Sequence, residues 1–180
     1  MTTSTPSLAA PEPGRVHRRL ETPLGSYLLA VERDALVGLW RQDQKKFPAP
    51  DRQGTEAPAP HPLLDRAARQ LQEYLAGERT EFDLPLAPAG TAFQRAVWTH
   101  LATIPRGATT TYGQIARALE RPRAAQAVGA AVGSNPLSII VPCHRVVAGD
   151  GALTGYAGGL ETKRALLALE GALPSGTGTA

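Results

Sequence analysis

The chain has 180 residues, 42% of them hydrophobic, and a formal net charge of +3. That is room for one ordinary domain or two small ones with a real core, and the charge permits an anionic partner without requiring one. The single cysteine excludes an intrachain disulfide and a Cys-rich zinc site, and the four histidines lack ligand spacing, so no metal is expected. No leader with a basic start and an apolar run is visible, and no stretch has the apolar length of a membrane span. The expectation is a soluble cytoplasmic protein.

Residues 1–14, rich in Thr, Ser and Pro, have the composition of a disordered tail, and 174–180 that of a second, flexible one. Two apolar runs, Tyr27–Val31 and Leu36–Trp40, predict strands joined by a hairpin at ERDA. The polar, proline-rich stretch that follows predicts a loop. Leu64, Ala67, Ala68, Leu71 and Leu75 then fall at helical spacing, with Gly77 as a stop. FDLPLAP predicts a short extended connector, and a domain boundary is placed near Gly90, separating an N-terminal unit, 15–89, from a C-terminal one, 90–173.

The second half reads as mostly helical. Thr91 with Gln94, and Thr111 with Gln114, form capping boxes. The first precedes a stripe of Phe93, Val97, Leu101 and Ile104; the second precedes a short helix through Leu119. A third helix is expected with Pro122 in its first turn, made almost wholly of Ala, Gly and Val and ending at Gly133. The last two resemble a helix-turn-helix. The small residues of the third helix suit tight core packing and close approach to a groove wall equally well. Arg117, Arg121 and Arg123, just before the third helix, are placed to hold phosphates. The fold class expected is mixed α/β (α+β): a small antiparallel sheet plus a helix, then a helical domain.

The lone thiol, Cys143, sits in IIVPCHRVV, which reads as a buried strand. A lone cysteine is commonly a small buried hydrophobe. Against that, His144 adjoins it as a base, and Pro142 interrupts ladder pairing just before it. In the last helix Glu170 falls inside the stripe of Leu166, Leu169 and Leu173. It either escapes to solvent beside Gly171 or is a buried acid that orients His144, giving a Cys-His-Glu relay that forms a thiolate.

NPLSIIVPCHRVV together with TGYAGGLETKRALLALEG resembles the methylated-DNA–protein-cysteine methyltransferases, also called O6-alkylguanine-DNA alkyltransferases. GTAFQRAVWTHLATIPRGATTTYGQIA and TPLGSYLLAV are similar to other segments of that family, and the likeness spans roughly residues 17–173. It implies DNA repair in a single turnover, with the alkyl group of O6-alkylguanine, and of O4-alkylthymine, passing to Cys143. It implies that His144 deprotonates the thiol through a water while Glu170 polarises the imidazole. Asn135 becomes the turn residue behind the active-site strand, and Tyr112 the phenol that helps turn the nucleotide out and protonates the leaving purine. Substrate would meet the carbonyls of Cys143 and Val146, together with Arg145, Tyr156 and Ala157. The helix bearing Ala124, Gln126, Ala127 and Gly129 would lie in the minor groove. The partner implied is double-stranded DNA containing alkylated guanine, bound by a monomer with no cofactor.

Two positions depart from the pattern. Gln126 stands where many members carry an arginine that fills the gap left by the flipped base, which predicts weaker DNA binding. Ala157 stands where some carry a serine, which predicts a roomier pocket. The cysteines with which some relatives bind zinc are missing. Competing expectations are a damage-sensing binder of the same fold (such members lack the cysteine), a helix-turn-helix regulator with sequence-specific operator binding, and a thiol hydrolase with repeated turnover and an oxyanion hole.

Overall fold

The computed structural model describes residues 14–173. Apart from Gly14, the two expected tails lie outside the described residues. Strands β1 (Val16–Thr22), β2 (Gly25–Glu32) and β3 (Ala35–Arg41) form an antiparallel meander. The β2–β3 turn is the expected one: Arg33 and Asp34 both take positive φ, 49° and 63°, the geometry that matches the twist of a two-residue hairpin. The proline-rich stretch expected to be only a loop also contains α1 (Pro50–Gln53) and β4 (Thr55–Glu56), which pairs parallel to β1.

Strand alternation, offset in β3 by a register shift in its pairing with β2 at Ala30/Val31, divides the apolar residues between two faces. Tyr27, Leu29, Leu36 and Leu39 face the main core with α2 (Pro62–Leu75), while Leu28, Ala30, Val37 and Trp40 form a second cluster covered by Phe47. Helix α2 buries Leu64, Ala67 and Leu71 as the spacing predicts. The rest of its inner face is Gln70 and Tyr74, and Ala68 and Leu75 are only half-buried.

The free edge of β3 receives two segments from farther along the chain. Leu36 bridges Leu86, so the connector is extended as expected, and Leu39 bridges Leu137. Leu39 N–H donates to the Pro136 carbonyl (2.8 Å) and Ser138 N–H to the Leu39 carbonyl (3.0 Å). Covering an edge in this way satisfies its backbone groups. It also fixes the segment leading to Cys143 on the sheet.

The second half is built from α3 (Ala92–Ala102), α4 (Tyr112–Ala118), α5 (Ala125–Val132) and α6 (Leu160–Leu169). Both capping boxes form as read. Helices α4 and α5 are the helix-turn-helix pair, but α5 begins at Ala125. Pro122 therefore lies in the preceding turn, closed by Ala124 N–H on the Arg121 carbonyl at 2.8 Å. A short parallel pair joins β5 (Thr110–Thr111) to β6 (Val146–Val147).

The segment around Cys143 is not the strand that its composition suggests. Ile139 has φ +71°, Cys143–Arg145 form one 3-10 turn, and only Val146–Val147 pair as a strand. Pro142 lacks a ladder donor, and the Asn135 side chain takes the Val141 carbonyl at 2.9 Å, which removes the alternatives to a turn.

Candidate active site

The 3-10 turn changes the relation between Cys143 and His144. On a strand they would point to opposite faces; in the turn both are buried, with His144 fully so. His144 Nε2 lies 2.6 Å from Glu170 Oε1. Glu170 caps the C-terminus of α6 and is only 7% exposed, so it does not escape to solvent. Its carboxylate also accepts from Arg145 Nε (2.8 Å) and Nη2 (3.1 Å), and from the Tyr74 hydroxyl. Burial alone would raise its pKa, but the hydrogen bonds from His144 and Arg145 outweigh it and hold the value at about 2.

An ionised Glu170 fixes the histidine tautomer: Nε2 carries the hydrogen and donates. Nδ1 is then the lone-pair nitrogen, buried and, among the described residues, without a partner. Burial lowers the pKa of His144 despite Glu170, so the ring is neutral at rest. Burial raises the pKa of Cys143, opposed by the hydrogen bond from Asn135 and the positive charge of Lys163. The resting pair is therefore thiol and neutral imidazole.

Asn135 is the hub of the turn. Its Nδ2 donates to the carbonyls of Leu137 (3.3 Å) and Val141 (2.9 Å) and to Cys143 Sγ (3.2 Å), and its Oδ1 accepts from Leu137 N–H at 2.9 Å.

Cys143 opens on a cavity of about 250 Å³ shared with Tyr112, Gly129, Tyr156 and Ala157. This is near the low end for ligand sites and suits one planar base. The Tyr112 ring lies along α5, within ordinary contact of the position a Cβ on Gly129 would take, and its hydroxyl is beside Thr154 and Gly155. Burial raises the Tyr112 pKa, more than the Thr154 hydrogen bond lowers it, which keeps the phenol protonated. Tyr156 stands edge-on to His144, with centroids 6.4 Å apart. The carbonyls of Cys143 and Val146 each take one intramolecular donor, Val146 N–H and Lys163 Nζ respectively. Arg145 needs a correction. Its guanidinium is engaged by Glu170 and the Ile104 carbonyl, and it does not line the cavity, because the buried carboxylate needs its charge.

Helix α5 packs one face into the core and leaves the other exposed. Val128, Ala131 and Val132 are buried, and Trp98 Nε1 donates to the Ala131 carbonyl at 2.8 Å. Gln126, Ala127 and Ala130 are exposed, Ala124 and Gly129 half-exposed. Arg117, Arg121 and Arg123 are exposed around the turn before it, with Arg121 over the Phe93 ring at 5.5 Å.

Four residues at the site escaped the sequence reading. Lys163 is fully buried, its Nζ donating to the carbonyls of Val146, Thr154 (2.8 Å) and Gly155 (3.4 Å), and desolvation brings its pKa to about 8. Its signal was present: 163, 166, 167 and 170 form a stripe at i, i+3, i+4 and i+7. Tyr74 reaches Glu170 across 96 positions of sequence, and no local pattern reports that. Lys45 and Lys46 line the cavity from the loop after β3.

Among the described residues no group of His, Cys, Asp or Glu could hold a metal ion, and no helix is long and apolar enough to cross a membrane.

Residues 16–88 match the model of the 6-O-methylguanine DNA methyltransferase ribonuclease-like domain, and 92–172 that of the DNA binding domain of the same proteins. The methylated-DNA–protein-cysteine methyltransferase of Mycolicibacterium paratuberculosis is 48% identical over 86% of this chain and 91% of its own length. That of Methanosarcina acetivorans is 46% identical over 84% and 95%. Among solved structures, Mycobacterium tuberculosis OGT in complex with DNA superposes with TM-score 0.75 at 43% identity, covering 89% of this chain and 96% of that one. With both halves matched, and with identities of this size over most of each chain, this protein belongs to the 6-O-methylguanine DNA methyltransferase family.

Proposed function

We propose that the protein repairs double-stranded DNA by moving the alkyl group of O6-alkylguanine, and of O4-alkylthymine, to its own Cys143. It acts once, as a cytoplasmic monomer, with no metal or organic cofactor. The observation that carries this reading is the pairing of a cavity-lining thiol with an imidazole held at Nε2 by Glu170 and unpartnered at Nδ1.

The target carbon lies inside a stacked duplex, so the nucleotide must be extruded. Helix α5 occupies the minor groove through its small exposed residues, Gln126 fills the gap and bonds the orphaned base, and Arg117, Arg121 and Arg123 hold phosphates. The carbonyls of Cys143 and Val146 each keep a second lone pair for the guanine amine. Tyr156 and Ala157 wall the O6 side.

In the chemical step the sulfur attacks the alkyl carbon. The S–C bond forms, the C–O6 bond breaks, and its electron pair passes to the purine. The thiol proton goes through a water to His144 Nδ1, and Glu170 steadies the imidazolium that results. The purine takes a proton at N3 from Tyr112, which is replenished by the proton leaving His144. The net change is one thiol and one alkylguanine converted to one thioether and one guanine. A thioether is a poor leaving group, so the protein is consumed.

The test is to incubate the protein with duplex DNA carrying labelled O6-methylguanine. One methyl per chain on Cys143, absent in Cys143→Ala, is the expected result. Repeated release of label would instead indicate a hydrolase. An unmodified Cys143 with the lesion intact would overturn the proposal.

A further inference from the structure

Lys45 and Lys46 belong to the sequence half that carries the sheet, yet they line the same cavity as Cys143. Among the described residues they are its only formally charged lining residues. Both are exposed, and among the described residues neither ammonium enters an ion pair.

Their position is fixed from several sides. Lys45 N–H donates to the Ala157 carbonyl at 3.2 Å, tying the loop to the cavity wall. Gln44 is buried, and its Oε1 accepts from Arg41 N–H (2.8 Å) and from Ser138 Oγ (3.2 Å), on the segment that leads to Cys143. Phe47 is packed under the second sheet face. Lys46 itself holds φ +62°. The loop is therefore anchored before, within and after the two lysines, which leaves their side chains free at the rim.

The cavity is also lined by Gly129, Ala130 and Val132 of α5 and by Gly133 at its C-cap, which carry no charge. A nucleotide whose base enters this cavity leaves its sugar and two flanking phosphates at the mouth. Those phosphates need cationic partners. The arginines around the turn before α5 lie toward its N-terminal end, away from this rim.

We infer that Lys45 and Lys46 bind the phosphates flanking the extruded nucleotide, so that the sheet-bearing half closes a clamp that the helix-turn-helix opens. This rests on the alkyl-transfer reading and adds a second DNA contact surface to it.

The experiment compares wild type with Lys45→Met/Lys46→Met, which keeps the side-chain stems, and with Lys45→Arg/Lys46→Arg. Transfer is timed from a lesion duplex and from free O6-benzylguanine, which has no phosphate. Binding to the lesion duplex is titrated against salt in a Cys143→Ala background. In the Met variant the slope of log affinity against log salt falls by about 2. The ratio of DNA rate to free-base rate falls roughly 10-fold. The Arg variant restores both. An unchanged salt slope, or equal slowing on the two substrates, would overturn the inference and leave the lysines a purely structural strap. Absence of transfer by wild type from either substrate would instead defeat the alkyl-transfer reading, and the salt slopes would still report on the phosphate contacts.

Discussion

Replacing Asn135 tests whether one amide side chain both builds the turn and tunes the sulfur. In Asn135→Ala, Leu137 N–H loses its acceptor inside the core. The Leu137 and Val141 carbonyls lose one donor each but keep Val141 N–H and Cys143 N–H respectively. One orphaned buried donor costs about 1–3 kcal/mol, and the remaining lost bonds about 1 kcal/mol more, so destabilisation of about 3 kcal/mol is expected. Asn135→Asp keeps the acceptor for Leu137 but turns an oxygen toward two carbonyls and Cys143 Sγ. Its carboxyl is then favoured in the protonated form, so its folded pKa is raised. The resulting penalty is present above the unfolded carboxyl pKa and is relieved as pH falls. Urea denaturation should rank Asp below Ala at pH 7 and narrow or reverse the gap near pH 4. Both variants should also react with free O6-benzylguanine along a pH profile shifted upward, since the Asn135 bond lowers the thiol pKa. A cost under about 1 kcal/mol for Ala, or an unmoved profile, would refute the reasoning.

Glu170→Gln strips the counter-charge from buried Arg145 and is expected to cost about 3–5 kcal/mol by urea denaturation while slowing transfer. Because burial lowers the His144 pKa, the base stays neutral and competent below the ordinary imidazole range; a free-base transfer rate whose acid limb had its midpoint above about 6.5 would contradict this. Lys163 has its pKa lowered from 10.5 to about 8 by desolvation, so between those values the unfolded chain binds more protons and stability rises with pH. Relative to Lys163→Met, wild type should gain up to about 3 kcal/mol across that window, read by denaturation at pH 7 and pH 10.5. Gln126→Arg should tighten binding to duplex DNA and steepen its salt dependence; equal affinity would show that this position does not enter the duplex.

Local chemistry determined much of this protein. The β2–β3 hairpin, both capping boxes, the helix-turn-helix pair and the Pro-Cys-His neighbourhood were legible because each depends on residues a few positions apart. The motif also pointed to Glu170 and Asn135 as members of the site. What the sequence could not decide was where long-range contacts outweigh local preference. IIVPCHRVV has the composition of a strand, but Pro142 and the Asn135 amide turn it into a 3-10 turn, and that turn buries Cys143 and His144 together. Arg145 reads as a substrate contact beside the thiol, whereas the cost of leaving Glu170 uncompensated draws its guanidinium away from the cavity. Tyr74 and the two rim lysines joined the site only through packing, since burial and charge pairing between distant segments leave no local periodicity to read; Lys163 shares the helical stripe of Leu166, Leu167 and Glu170, but the carbonyls that receive it come from other segments.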